Sequence, residues 1–119
     1  MNDLPVVLAE RCDAQHGEFD LRVDADCPWF QGHFTGQPIL PGVVQIGWAA
    51  AFAERWKRDT APARVLSRVK FKRPILPGAA LRLRLEATGT DLHWEFLLRS
   101  PDGSDASASS GIFCDVANA

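Results

Sequence analysis

The 119-residue chain is 46% apolar and 24% charged, with a net charge of −2, the composition of one ordinary globular domain spanning residues 1–119. That balance gives no ground for nucleic acid as the main partner. No apolar stretch approaches the roughly 18 residues needed to cross a bilayer, and the start Met1-Asn2-Asp3-Leu4-Pro5 lacks the basic region and apolar run of a signal peptide, so no membrane association and a cytoplasmic address are expected. Cys12, Cys27 and Cys114 are odd in number and lack metal-ligand spacing, which points to neither a disulfide framework nor a metal site. Cys27 reads as a small packing residue.

Residues 4–12 form a short apolar run, expected as a first strand with a turn near His16-Gly17. Phe19, Leu21 and Val23 then alternate with Asp20, Arg22 and Asp24, the period of a strand with one buried face that Pro28 ends. Next comes a loop with two prolines and three glycines between Gly32 and Gly42, and with His33 inside it. So constrained a backbone is costly for a mere connector and marks a candidate site. A helix is expected to start at Pro41 or Gly42. From Val43 to Ala53 nearly every helix face is apolar, so burial on most sides is expected, and the basic stretch at Lys57-Arg58 closes it.

Three strands follow. Val65, Ser67, Val69 and Phe71 alternate with Leu66, Arg68, Lys70 and Lys72; Leu81, Leu83 and Leu85 with Arg82, Arg84 and Glu86; Leu92, Trp94, Phe96 and Leu98 with His93 and Glu95. Ser100-Pro101-Asp102-Gly103-Ser104 is a turn by composition, and residues 106–116 supply a last strand. Strands, one apolar helix and a run of antiparallel strands give an α+β architecture.

Histidine is the side chain most easily tuned to exchange a proton near neutral pH. A helix N-terminus presents unpaired N–H groups and a positive dipole end, suited to an oxygen gaining negative charge. His33 and the helix start at Gly42 lie on one constrained loop. The string His33-Phe34-Thr35-Gly36-Gln37-Pro38-Ile39-Leu40-Pro41-Gly42-Val43, with its lead-in Pro28-Trp29-Phe30-Gln31-Gly32 and the later run from Arg68 to Gly78, resembles the 3-hydroxyacyl-(acyl carrier protein) dehydratases of bacterial fatty-acid synthesis. The resemblance implies a single hotdog domain, an antiparallel β-sheet wrapped around one long buried α-helix. It implies His33 as the base that removes the α-proton and the Gly42 N–H as the donor to the thioester carbonyl, with Phe34, Gly36, Pro41, Val43, Gly47 and Trp48 around the substrate. It also implies no cofactor, an acyl thioester on acyl carrier protein or coenzyme A, and a homodimer or heterodimer with sites built across the interface.

The chain departs from the family at one position that matters. The carboxylate that assists departure of the β-hydroxyl falls at Gly47, and a supporting glutamine falls at Ala51. Three accounts are open. His33 serves as both base and acid; another group, from Asp26, Glu10 and His93, enters the site; or the chain is a non-catalytic acyl-binding or partner subunit. A thioesterase using His33 to activate water is a further alternative. The run Pro41-Gly42-Val43-Val44-Gln45-Ile46-Gly47-Trp48-Ala49 resembles the short dehydratase-like proteins of aryl polyene clusters. Trp29, Phe30, Phe34, Trp48 and Phe52 suit either an acyl tunnel or plain core packing. Arg68, Lys70, Lys72, Arg73, Arg82 and Arg84 suit either solvated strand faces or a docking patch for an acidic carrier protein.

Overall fold

The computed structural model describes residues 4–30, 38–57 and 64–115. The strands are β1 (Val6–Cys12), β2 (His16–Arg22), β3 (Arg64–Phe71), β4 (Ala80–Thr88), β5 (Asp91–Leu98) and β6 (Ala106–Asp115), with one helix, α1 (Gly42–Lys57), and a 3-10 turn at Pro28–Phe30. They build one antiparallel sheet in the order β1-β2-β4-β5-β6-β3. Among the described residues no helix is long and apolar enough to cross a membrane.

The clean alternation of β4 sets the inner face. Leu81, Leu83 and Leu85 are buried, and the register places them beside Leu98, Phe96 and Trp94 of β5. On the other side Leu83 pairs with Phe19 and Leu81 with Leu21. Helix α1 lies on this apolar surface, with the Phe52 ring centroid 4.9 Å from that of Phe19.

The turn expected at His16-Gly17 falls earlier, at residues 13–15. The Asp13 carboxylate accepts the Gln15 and His16 N–H groups, both at 2.8 Å, the local bonding by which aspartate nucleates turns. Gly17 belongs to β2 and is small for another reason: a Cβ there would stand 3.0 Å from Trp56 Cδ2. The indole therefore rests on the strand, and its Nε1 donates to the Asp13 carbonyl at 2.9 Å. Strand β2 also ends at Arg22, well before Pro28.

Helix α1 is buried on one side only within this chain. Val44, Gln45, Trp48, Ala49, Phe52 and Ala53 face the sheet, whereas Val43 is 75% exposed and Gly47 and Ala50, one and two turns on, are exposed too. The all-round apolar sequence does not translate into all-round burial, because six strands of this length cover one face.

Asp20, expected on the solvent side of β2, is only 6% exposed. Arg82 Nε approaches its carboxylate at 2.8 Å, Arg11 at 3.0 Å and Arg99 at 3.7 Å. Burial alone would push the Asp20 carboxyl up, but hydrogen bonds and charge from Arg82 and Arg11 outweigh it and hold it below the ordinary carboxylate range. A depressed folded-state value means stabilisation that is present above the unfolded-chain value, near pH 4, and lost as pH falls through the folded one. Asp20→Asn is expected to remove about 2 kcal/mol at pH 7, between an exposed and a fully buried pair. Urea titrations should show variant and wild type converging as pH falls below the ordinary carboxylate range and wild-type Asp20 protonates as well.

Both sheet edges are irregular. The β1 register shifts between Val7 and Ala9. That of β3 shifts between Ser67 and Lys70, and Arg68 takes a left-handed φ of 52°, so the simple alternation expected from Val65 to Phe71 breaks. Val65, Leu66 and Phe71 of this edge are exposed.

Candidate active site at the start of the helix

The segment leading into α1 is pinned from both sides. The Leu40 N–H donates to the Ile75 carbonyl at 2.8 Å, and both side chains are fully enclosed in the core. The Pro41 carbonyl closes the first turn by accepting from Val44 and Gln45 at 3.1 and 3.2 Å. That leaves the Gly42 and Val43 N–H groups without an acceptor among the described residues, as the first turn of any helix must.

Gly42 lies directly under the half-exposed Phe71 ring, which an added side chain would have to displace. A Cβ would meet the Phe71 ring at 2.7 Å. Gly42, Pro41, Ile39, Gln45 and Phe71 line a cavity of about 400 Å³ that Lys72 and Arg73 also border. Apolar walls, two cations and the positive end of the helix dipole make this a place where developing negative charge is stabilised.

Of the expected site residues, His33, Phe34 and Gly36 lie outside the described residues. Pro41 and Gly42 stand together at the cavity. Val43 and Gly47 lie on the exposed side of α1, while Trp48 is on the opposite side, 2% exposed within the core. Phe52 and Phe30 are buried in the same core, with Trp29 partly buried against it.

The three proposed substitutes for the helix acid separate cleanly. Glu10 is bound to Arg55 at 2.6 Å, near the far end of α1, about 20 Å along the helix axis from Gly42. His93 pairs with Glu86 and Ile112 on the outer face of the sheet, where it lines a cavity of about 800 Å³ with Glu86, Glu95 and Arg84. The sheet stands between His93 and α1, and Glu10 is held at the helix's opposite end, so within this chain neither reaches the helix start. Asp26 alone lies beside the N-terminal half of the helix, exposed, in a small cavity it shares with Cys27 and Trp48.

Nothing lies within 4 Å of a Cβ built at Gly47, so the missing carboxylate is not excluded by packing. An exposed glycine in a helix interior costs about 1 kcal/mol relative to alanine. Gly47→Ala is accordingly expected to raise the thermal midpoint by about 4 °C, measurable by calorimetry.

Two residues escaped the reading of the sequence as site components. Gln45 enters the sequence reading only as part of the run from Pro41 to Ala49, and the structure buries it beside Gly42. Phe71 looked like one more strand position, yet its ring caps that glycine. The only signal for the first was a glutamine where every neighbour is apolar; for the second there was none.

Comparison with known proteins places this geometry. The family model described as ApeI-like, ApeI dehydratase, matches residues 9–111. The 3-hydroxyacyl-[acyl-carrier-protein] dehydratase FabZ of Geobacter metallireducens is 38% identical over 71 residues, 52% of this chain and 47% of that protein. The chain thus spans about half the length of the curated relatives it matches. An uncharacterised protein from Erwinia carotovora subsp. atroseptica is 37% identical, with a TM-score of 0.77 over 93% of this chain and 94% of that one. The dehydratase heterocomplex ApeI:P from Xenorhabdus doucetiae superposes with a TM-score of 0.77 at 29% identity, over 92% of this chain and 96% of that one. The six-stranded antiparallel sheet and single helix are the hotdog fold that the motif implied. With the family match covering most of the chain from β1 to β6, this protein belongs to the ApeI-like dehydratase family.

Proposed function

We propose that the chain dehydrates 3-hydroxyacyl thioesters held on acyl carrier protein, giving trans-2-enoyl thioesters. The observation that carries this reading is the Gly42 N–H at the start of α1, without an acceptor among the described residues and opening on an apolar cavity bordered by Lys72 and Arg73. The thioester carbonyl oxygen binds that N–H. His33 takes the α-proton, and negative charge moves onto the carbonyl oxygen, where the Gly42 N–H and the helix dipole stabilise it. The electron pair returns to form the Cα=Cβ bond as the β-hydroxyl leaves, and a proton delivered to it makes water. Relatives named as 3-hydroxyacyl-[acyl-carrier-protein] dehydratases support both the reaction and its carrier.

The proton for the hydroxyl comes from His33 itself or from a partner chain. The second route is favoured by the exposed stripe of Val43, Gly47 and Ala50, which is apolar, open, and centred on the position where the family carries its acid. A homodimer or heterodimer that covers this stripe places a partner's group against Gly47, and the Xenorhabdus relative is itself part of a heterocomplex. Carrier docking falls to Lys72, Arg73 and their neighbours Arg68 and Lys70, because Arg82 and Arg84 are engaged by Asp20 and Glu18.

Mass spectrometry of carrier-bound 3-hydroxyacyl chains, saturated and aryl-conjugated, tests the reading. Loss of water supports a dehydratase, and preference for the aryl-conjugated chain supports polyene synthesis. Release of the free carrier thiol identifies a thioesterase. Binding without any conversion, by the chain alone and with a partner, identifies a non-catalytic subunit.

A further inference from the structure

We propose that Gln45 is a positioning residue that holds the Gly42 N–H in line with the thioester carbonyl; the inference rests on the dehydratase reading above. Among the six residues that α1 buries against the sheet, Gln45 is the polar one, and it is 3% exposed. Its Nε2 donates to the Leu40 carbonyl at 3.1 Å. A carbonyl can only accept, so this contact fixes which way the amide points. The Oε1 is sealed from solvent with no donor among the described residues.

Leu40 is therefore gripped at both ends, by Ile75 through its N–H and by Gln45 through its C=O. The next residue is Pro41, whose ring fixes φ. The Val44 and Gln45 N–H groups on the Pro41 carbonyl orient the peptide that carries the Gly42 N–H within the first turn. The Gln45 side chain ties that turn to the Leu40 peptide pinned by Ile75, so the place of the Gly42 N–H over the cavity depends on the Gln45 contact. Leucine or methionine would fill the same volume without burying an unpaired acceptor, which destabilises a fold. A half-satisfied amide kept beside the candidate site, lining the same cavity as Gly42 and Phe71, fits a role in function better than one in stability.

Alignment with the carbonyl counts most in the transition state, so its loss falls on kcat rather than KM. The test uses Gln45→Met, and Gln45→Leu as a second shape, in three measurements. These are the thermal midpoint, kinetics of water loss from a carrier-bound 3-hydroxyacyl thioester, and the Gly42 amide NMR signal on adding an acyl-pantetheine ketone with CH2 in place of sulfur. Both variants are expected to fold with midpoints at or above wild type, to lose about tenfold or more in kcat with KM within about twofold, and to show a Gly42 response reduced by about half. A kcat close to wild type, an undiminished Gly42 response, or lower midpoints in both variants overturns the proposal. If wild type, alone and with a partner, loses no water yet its Gly42 amide responds to the ketone, the dehydratase reading fails and the ketone response alone decides for Gln45. If the wild-type amide does not respond, both fall.

Discussion

His33→Ala is expected to lower the rate of water loss from a carrier-bound 3-hydroxyacyl thioester by about 10²–10⁴-fold, the range a positioned proton-transfer group supplies. The α-proton of a thioester is weakly acidic, and water is a far weaker base than the imidazole it would have to replace. If the same histidine also returns the proton to the departing hydroxyl, both halves of the elimination suffer and the loss lies at the upper end. If a partner chain delivers that proton, the lower end is expected, and adding the partner speeds wild type while leaving the variant slow. Single-turnover mass spectrometry of the acyl carrier protein reads both cases. Binding of the substrate should change little, because Gly42 and the cavity walls are untouched.

The largest expected effect on stability comes from Gly111→Ala on β6. A Cβ there would stand 2.5 Å from Trp94 Cζ2 and 2.8 Å from its Nε1, well inside contact distance. The indole cannot retreat. It is 1% exposed, with the Phe96 and Phe113 rings centred 6.0 and 6.2 Å away, and its strand is paired on both sides by β4 and β6. A loss of about 3 kcal/mol or more is expected, at the upper end for overpacking a tight core, read as a lower urea midpoint. Gly47, where the same methyl enters open space, is expected to respond with the opposite sign.

These contrasts show what the sequence could and could not express. The strand alternation at Leu81, Leu83 and Leu85 was legible because one face is buried and the other solvated, and the helix start was legible because Pro41-Gly42 is chemically suited to nothing else nearby. Asp20 was misjudged because the arginines that enclose it come from β1, β4 and the end of β5, and no local pattern encodes a three-strand assembly. His16-Gly17 resembled a turn because glycine usually marks one; what demands glycine there is a tryptophan 39 positions later in the chain. The bulge around Arg68 leaves the strand's composition unchanged, so alternation alone could not reveal it. At the candidate site the motif singled out Gly42, but the clamp from Gln45 and the cap from Phe71 depend on how the helix is rotated and on where β3 ends.

The two register shifts at the borders of the sheet bear on how this protein behaves when concentrated. A straight terminal strand offers an unbroken row of free N–H and C=O groups, onto which another chain can add, and then another, until a fibre grows. Here the outermost strand on each side is interrupted, β1 between Val7 and Ala9 and β3 between Ser67 and Lys70, and the second break holds the cation Arg68 within it and Lys70 at its border. A bulged, charged border is a poor template. The chain can thus display apolar residues for a specific companion while its own sheet resists open-ended polymerisation.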